Sequence, residues 1–283
     1  MNCDHGWVLE GGTNLYCRIP GARHTRDLDL YRQDDPTSYR QATDDLVETM
    51  HETGIGPYRF TVTAPKDETV SGVIESMNLT VEVFHGVSLI LVFGIDVSGD
   101  LQVPTVTDTL TVERSDRIDL EFVGREYTIR SYPIENQIAD KIAAMYELHG
   151  HSKQPSTRYR DLYDIALIAL ELGVDAADLA NALRTQEQVR SLTLPQELRL
   201  PSSTWVDGYA SLVKNVPNPR EEITEVNEAL RIAGALVNPV LAASEDTVTG
   251  TWSPSTGRWW FAPDVIEARK LEKKAPPEKF RQG

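Results

Sequence analysis

Two short motifs near the start of the chain carry residue types that suit phosphate chemistry. In Gly11-Gly12-Thr13, glycine lets backbone N–H groups approach a triphosphate closely, and the threonine adds a hydroxyl. In Asp27-Leu28-Asp29, both carboxylates project from one face if the segment is a strand. Such a pair can share Mg²⁺ or Mn²⁺ ions that bridge nucleotide phosphates and activate an attacking oxygen. Each motif alone is common, as a turn or a solvated strand edge. Together they predict a nucleotide site beside a metal site.

A third carboxylate for the metal site is expected from a later strand. Asp96 lies near the end of the otherwise apolar run 91–97, which is typical of a central strand, and a carboxylate there needs a partner. We predict Asp96 as the third metal ligand. A strand-end acid that meets solvent or a turn amide is the competing interpretation. Glu82 and Glu121 rank lower, because both lie in alternating strands whose polar face is expected to be hydrated.

One lysine falls where a helix should be apolar. A helix that begins near Pro133 has an apolar stripe made of Ile134, Ile138, Met145 and Leu148. Lys141 lies at the centre of that stripe. A snorkelling side chain, whose stem covers apolar surface while the ammonium reaches water, is one interpretation. The functional interpretation is an ammonium that neutralises phosphate charge in the transition state.

A second helix repeats this pattern with an acid. Asp161 shares a stripe with Ile165, Ile168 and Leu172, so it is expected to pair with a buried group. Lys141 is the first candidate for that partner, with Arg158 and Arg160 as the alternatives. Asp164 flanks the same stripe and is expected to orient Asp161 or to cap a neighbouring element. The six histidines show no grouping typical of a triad or a metal site.

The periodicity predicts a sheet in the first half of the chain and helices in the second. The predicted strands are Trp7–Glu10, Thr25–Tyr31, Tyr58–Ala64, Leu79–Phe84, Val87–Val97 and Tyr127–Ser131. The predicted helices are Thr13–Arg18, Asp35–Met50, two around Lys141 and Asp161, Asp175–Arg184, Trp205–Val213 and Arg220–Leu236. An irregular segment or hairpin is expected at Thr247–Phe261. The sequence therefore predicts an α+β fold with a core domain at 1–132 and a helical domain at 133–283.

Composition narrows the class of protein. The chain has 283 residues with 40% apolar content, and it contains no apolar run long enough for a membrane span. Two cysteines without zinc-like spacing are typical of a reducing, cytoplasmic setting. The net charge of −15 argues against extensive contact with nucleic acid, because phosphate contacts normally require Lys and Arg. Residues 269–283 differ, since six basic residues outweigh two acidic ones. They are interpreted as a solvated tail or as a local RNA contact.

Taken in order, these residues resemble the AbiEii/AbiGii family of nucleotidyltransferase toxins, which includes the mycobacterial MenT toxins. The resemblance covers roughly residues 7–172. It is carried by the segments 8–13 (VLEGGT), 26–30 (RDLDL), 93–97 (FGIDV), 134–141 (IENQIADK) and 160–164 (RDLYD). The last two segments are its most specific part.

The resemblance implies a DNA polymerase β-like nucleotidyltransferase core with a mixed sheet, followed by a helical C-terminal domain. It implies Asp27 and Asp29 as metal ligands, and Gly11, Gly12 and Thr13 as phosphate contacts with Lys141. Lys141 and Asp161 would form a distal catalytic pair. The implied activity is transfer of nucleotides from an NTP to the 3′ acceptor end of tRNA, which blocks translation and growth. The implied partner is a separately encoded antitoxin.

Two other functions remain open from the sequence. The first is nucleotidyl or phosphoryl transfer to a protein or a small molecule, which would suit the acidic composition if the acceptor is cationic. The second is a non-catalytic nucleotide-binding module. The presence of Asp27, Asp29, Lys141 and Asp161 together disfavours the second, since a binding module has no use for all four.

Overall fold

A computed structural model describes residues 6–25, 27–33, 38–65, 76–99, 107–113, 122–150, 153–243 and 249–261. Glu121 and the basic segment 269–283 lie outside these ranges. Within them, no helix combines the length and the apolar character needed to cross a membrane.

The first part of the chain forms an eight-stranded mixed sheet. Its strands are β1 (Trp7–Glu10), β2 (Asp27–Arg32), β3 (Gly54–Ile55), β4 (Tyr58–Thr63), β5 (Ser76–His85), β6 (Ser88–Ser98), β7 (Asp108–Glu113) and β8 (Glu126–Ser131). The strand order is β3-β4-β5-β6-β2-β1-β8-β7. The β2–β6 and β1–β8 pairs are parallel, and the other neighbours are antiparallel. The sheet places β2 next to both β1 and β6.

Two helices, α1 (Gly11–Arg18) and α2 (Tyr39–Met50), accompany this sheet. Ser38 caps α2, because its side chain accepts a hydrogen bond from the backbone N–H of Gln41. Helix α2 buries its apolar face against one face of the sheet. The buried cluster there is Leu30, Ala42, Leu46, Val62, Leu79, Val81, Ile95 and Val97, with Leu28 packed against it. The leucines of β2 therefore point into the core, and its aspartates point to the opposite face.

The remainder of the chain is mainly helical. Its helices are α3 (Ile134–Tyr146), α4 (Tyr159–Glu171), α5 (Ala176–Arg190), α6 (Trp205–Val213) and α7 (Val226–Leu241), with a short 3₁₀ turn at Glu221–Ile223. Its short strands are β9 (Leu148–His149), β10 (Gln154–Pro155), β11 (Val174–Asp175), β12 (Gly250–Ser253) and β13 (Arg258–Phe261). Helix α4 is the central element, since every residue from Asp161 to Ala169 is buried.

The chain divides into two compact units. One comprises residues 1–137 with 216–218, and the other comprises residues 138–215 with 219–283. The boundary predicted at residue 132 precedes α3, whereas this division falls inside that helix. The predicted fold class, an α+β chain with a large mixed sheet and a helical C-terminal part, is confirmed.

Several element boundaries differ from the predictions. Helix α1 begins at Gly11 rather than at Thr13, and α5 continues to Arg190 rather than Arg184. The predicted helix Arg220–Leu236 is instead the 3₁₀ turn followed by α7, which runs on to Leu241 past Pro239. Strand β7 is absent from the prediction. The hairpin expected in Thr247–Phe261 is present as β12 and β13, and β12 also pairs with β11.

Candidate active site

Polar side chains form a row across four neighbouring strands. The register pairs Glu10 with Asp29, Asp29 with Asp96, and Asp96 with Asn78. Directly paired residues project to the same face of a sheet, so all four side chains lie on the face opposite the core. Asp27 lies two residues before Asp29 and shares that face. The expected arrangement of the two β2 carboxylates is therefore present.

A glycine lies against each β2 carboxylate. A Cβ atom at Gly94 would overlap the carboxylate of Asp27, and a Cβ atom at Gly11 would overlap that of Asp29. Gly11 also has φ +65°, a left-handed conformation that other residues rarely adopt. Both positions thus require glycine to leave room for an acid. This local geometry keeps two carboxylates on a partly exposed surface instead of filling the space with apolar side chains.

Asp96 has a hydrogen-bond partner on the neighbouring strand. The Nδ2 amide of Asn78 donates to its Oδ1 atom at 2.8 Å. In the described residues, no group of three His, Cys, Asp or Glu side chains has the arrangement needed to hold a metal ion. The roles of Asp27 and Asp29 as metal ligands, and of Asp96 as third ligand, therefore stay predictions. Glu82 lies further along β5, opposite Val92.

The N-terminus of α1 forms the other part of this site. Glu10, the residue that precedes the helix, makes no side-chain capping bond to it. Thr13 Oγ1 and Thr25 Oγ1 each donate to the backbone carbonyl of Asp27 at 3.2 Å. A Cβ atom at Gly12 would lie 3.0 Å from Cβ of Thr25 and 3.7 Å from Nη2 of Arg23. The structure therefore brings Gly12, Thr13 and Asp27 together, as the sequence predicts, and adds Arg23 and Thr25.

A buried polar network contacts the Gly11–Gly12 segment at the start of α1, which we call the glycine corner. Gln137 Nε2 donates to the carbonyl oxygen of Gly11 at 2.6 Å, and Asn14 Nδ2 donates to Gln137 Oε1 at 2.8 Å. Asn14 Oδ1 accepts from Ser131 Oγ at 2.5 Å and from Arg18 Nε at 3.1 Å. Asn14 and Ser131 are fully buried and Gln137 is 3% exposed. No role for these residues could be predicted from the sequence, because a single buried amide gives no periodic signal.

A second cluster surrounds Lys141. Its Nζ atom donates to Asp164 Oδ2 at 2.7 Å and to Asp161 Oδ1 at 3.2 Å. Both aspartate side chains are fully buried, and the lysine side chain is 9% exposed. The snorkelling interpretation of Lys141 is therefore wrong, because two carboxylates hold the ammonium inside the protein. Arg158 Nε also donates to Asp161 Oδ2 at 2.6 Å, so two of the three suggested partners of Asp161, Lys141 and Arg158, contact it.

Two tyrosines extend the Lys141 cluster. The rings of Tyr163 and Tyr209 lie 6.4 Å apart, and Tyr209 donates its hydroxyl to the carbonyl of Ile223 at 2.7 Å. Burial raises the pKa of Tyr209 far above its usual range, and the nearby Tyr163 and Asp164 raise it further. The cluster therefore combines one buried cation with groups that disfavour additional negative charge. Asp164, whose role the sequence left open, makes the shorter contact to the lysine.

A known protein family matches most of this chain. A family model described as "Nucleotidyl transferase AbiEii toxin, Type IV TA system" matches residues 2–231. The chain belongs to this family. It is accordingly a nucleotidyltransferase toxin of a type IV toxin–antitoxin system, which implies an NTP substrate and an antitoxin. No curated protein sequence matches the chain.

Solved structures are similar to this AbiEii family member in fold. MenT4, a nucleotidyltransferase toxin from Mycobacterium tuberculosis H37Rv, has a TM-score of 0.51 at 16% identity. The similarity covers 95% of this chain and 84% of MenT4. JHP933 from Helicobacter pylori has a TM-score of 0.44 at 15% identity, over 96% of this chain and 90% of that one. The likeness to MenT4 confirms the nucleotidyltransferase fold expected from the sequence.

Proposed function

We propose that this toxin transfers nucleotides from an NTP to the 3′ acceptor end of tRNA in the cytoplasm, in a metal-dependent reaction that blocks translation and growth. The observation that carries the proposal is the position of the Asp27 and Asp29 carboxylates. Two carboxylates on one strand face, each lying over a glycine, are next to the N-terminus of α1. A surface of this kind has oxygen ligands for a divalent cation and backbone donors for phosphate.

The metal would be held by Asp27 and Asp29, with Asp96 as the proposed third ligand. Hard cations such as Mg²⁺ and Mn²⁺ prefer carboxylate oxygens, which Asp27, Asp29 and Asp96 provide on this face. When bound, the ion would neutralise charge on the triphosphate and lower the pKa of an attacking hydroxyl. The glycines at positions 11 and 94 support this assignment, since they keep both carboxylates accessible.

The triphosphate would be bound at the start of α1. The first N–H groups of a helix lack partners within the helix, and the helix dipole favours an anion there. Gly11 and Gly12 let phosphate oxygens approach these donors, and Thr13 adds a hydroxyl. The guanidinium of Arg23 lies beside Gly12, where a second cation suits an anionic ligand. In this proposal Lys141 contributes positive charge toward the phosphates, and Asp161 is its catalytic partner.

The reaction itself follows from this substrate set. The 3′ hydroxyl oxygen of the acceptor forms a bond to the α-phosphorus of the NTP. The bond from that phosphorus to the bridging oxygen breaks, pyrophosphate leaves, and the hydroxyl proton is released to water. Protein groups contribute by holding the reactants in line and by stabilising charge on the phosphates.

A second acceptor class is favoured by one observation. The net charge of −15 suits a cationic protein or small molecule better than a polyanion. In that case the donor site would be unchanged, and only the acceptor would differ.

The test is a transfer assay with each of the four α-³²P-labelled NTPs in turn. The wild-type chain is incubated with Mg²⁺ and with total RNA, with purified tRNA, or with RNA-free cell protein. The proposal predicts label in the tRNA band, and loss of that label when the tRNA 3′ ends are first oxidised with periodate. Label in protein alone would favour the second acceptor class. The absence of label from every acceptor would contradict nucleotidyl transfer.

A further inference from the structure

We infer that Gln137 is a positioning residue for the triphosphate, because it fixes the orientation of the Gly11–Gly12 peptide at the N-terminus of α1. This inference rests on the proposed function, since it assumes that this peptide contacts phosphate. Gln137 does not itself touch the substrate. It acts through the backbone of the glycine corner.

The contact that carries the inference is the 2.6 Å hydrogen bond from Gln137 Nε2 to the carbonyl oxygen of Gly11. A trans peptide is planar, so its C=O and N–H bonds point in opposite directions. Fixing the Gly11 carbonyl therefore fixes the direction of the Gly12 N–H. Gly12 is the second residue of α1, and its N–H is one of the donors left without an intrahelical partner.

This peptide needs external support because glycine provides little of its own. Gly11 and Gly12, the two residues of this peptide, both lack a side chain, so rotation about their backbone bonds has a low energetic cost. Gly11 already has φ +65°. Without a fixed carbonyl, the donor would sample several directions, and ordering it on binding would weaken nucleotide affinity.

The orientation of the Gln137 amide is determined by the network behind it. Asn14 Nδ2 donates both to Gln137 Oε1 at 2.8 Å and to the carbonyl of Tyr132 at 2.9 Å. Asn14 Oδ1 in turn accepts from Ser131 and Arg18. In both the Asn14 and the Gln137 amide, the oxygen therefore accepts from a hydrogen-bond donor and the nitrogen donates to an acceptor. A flipped Gln137 would place its oxygen against the Gly11 carbonyl oxygen, so the network selects one orientation.

The experiment compares nucleotide binding by full-length Gln137→Met and wild type. Methionine keeps the length and much of the packing of glutamine but removes the donor. Binding of a non-hydrolysable α,β-methylene NTP and of inorganic triphosphate is measured by calorimetry with Mg²⁺ present. The inference predicts that Kd rises about tenfold for both ligands. Both contain the phosphates that the Gly12 N–H is proposed to contact, and the base is not involved in that contact. In turnover, KM for the NTP should rise by a similar factor while kcat changes less than about threefold.

Gln186→Met is the matched control, since Gln186 is a buried glutamine of α5 whose Oε1 accepts from Arg190 Nε at 2.7 Å. It is expected to lower thermal stability by an amount comparable to Gln137→Met and to leave both Kd values unchanged. Gln137→Glu is the second variant. It keeps the shape of the side chain and the contact with Asn14, but it places an oxygen against the Gly11 carbonyl. It should weaken nucleotide binding at least as much as Gln137→Met.

Unchanged Kd values in a folded Gln137→Met or Gln137→Glu chain would overturn this inference and leave the proposed function intact. An equal loss of affinity in Gln186→Met would also overturn it, because general destabilisation would then explain the effect. A wild-type chain that binds neither ligand would overturn the proposed function and this inference with it.

Discussion

At the scale of residues, the most informative group is Lys141 with its two buried carboxylates. An ammonium held at 2.7 Å from Asp164 and 3.2 Å from Asp161 compensates charges that could not be buried alone. The lysine therefore has a structural role that is independent of its proposed catalytic one. Removing it leaves two carboxylates inside the protein with less compensation.

We expect Lys141→Met to lower the free energy of unfolding by about 3–5 kcal/mol, the usual cost of breaking a buried ion pair. The double variant Lys141→Met/Asp164→Asn should lose less unfolding free energy than the sum of the losses in the two single variants. The second change removes one of the buried carboxylates that would otherwise lack the lysine's charge. Urea unfolding of the three variants measures this coupling, expected at about 1–3 kcal/mol. Strictly additive losses would mean that the two groups do not interact.

Transfer activity separates the catalytic role from this structural one. At a temperature where Lys141→Met is still folded, its transfer rate should fall about 10²-fold or more, which is the usual effect of losing a transition-state contact. Lys214→Met replaces an exposed lysine of the same unit and should keep near-wild-type transfer. Equal rates for the two variants would leave Lys141 with a structural role alone.

At the scale of elements, the site depends on backbone positions that must remain glycine. Gly94→Ala in β6 suits a strand backbone but places a methyl group on the carboxylate of Asp27. We expect the variant to fold normally and to lose about 10²-fold in transfer rate, since a small displacement of a reacting group is this costly. Gly173→Ala is the control, because its Cβ would lie 3.6 Å from the Trp252 carbonyl, an ordinary contact. Normal transfer by Gly94→Ala would contradict the placement of Asp27.

The packing of α4 against α6 gives a second prediction at this scale, on pH dependence. Burial raises the pKa of Tyr209, so the folded protein keeps the phenolic proton after the unfolded chain has lost it. Stability that this group contributes is fully present below about pH 10, the unfolded value, and is lost as pH rises above it. We expect Tyr209→Phe to be less stable at pH 7, because it loses the bond to Ile223. Its stability should fall less steeply between pH 9 and pH 11 in urea titrations. An identical slope in both proteins would contradict the assignment.

Part of this organisation could be predicted from the sequence. The alternation in β2 predicts which way Asp27 and Asp29 point, and the helical stripes place Lys141 and Asp161 on buried faces, because both patterns are local. Strand β7 was not predicted because Asp108–Glu113 is short, has only Leu110 and Val112 as apolar residues, and depends on pairing with β8. Helix α7 continues past Pro239 because Val237 and Val240 are buried, and this tertiary packing outweighs a local stop signal.

The supporting residues could not be predicted, for a different reason. Gln137 and Asn14 meet across 123 positions of the chain, and Asp164 contacts Lys141 across 23. The helical stripes suggest that Lys141 and Asp161 meet, but no local pattern predicts the partners of Gln137, Asn14 or Asp164. The assignments of metal ligands and phosphate contacts stay predictions, because they concern ligands that only an experiment can supply.

At the scale of the whole molecule, membership of a toxin family predicts an effect on cells. Expression of the full chain in bacteria should arrest growth, and co-expression of the antitoxin encoded beside it should relieve the arrest. Asp29→Asn expressed to the same level should not arrest growth, because the proposed toxicity requires transfer. Optical density of induced cultures, with protein levels checked by blotting, measures this. Arrest by Asp29→Asn would show that toxicity does not depend on the metal site.

The main proposal is that Asp27 and Asp29 hold the metal ion required for nucleotide transfer. Its most direct test measures α-³²P label transferred to RNA across a Mg²⁺ titration for wild type, Asp27→Asn, Asp29→Asn and the exposed-acid control Asp44→Asn on α2. This proposal predicts Mg²⁺-dependent transfer by wild type and Asp44→Asn. It predicts a loss of about 10²-fold or more in the two β2 variants, with thermal stability unchanged or higher because like charges no longer repel. Near-wild-type transfer by either β2 variant, or wild-type transfer that is unaffected by EDTA, would contradict it.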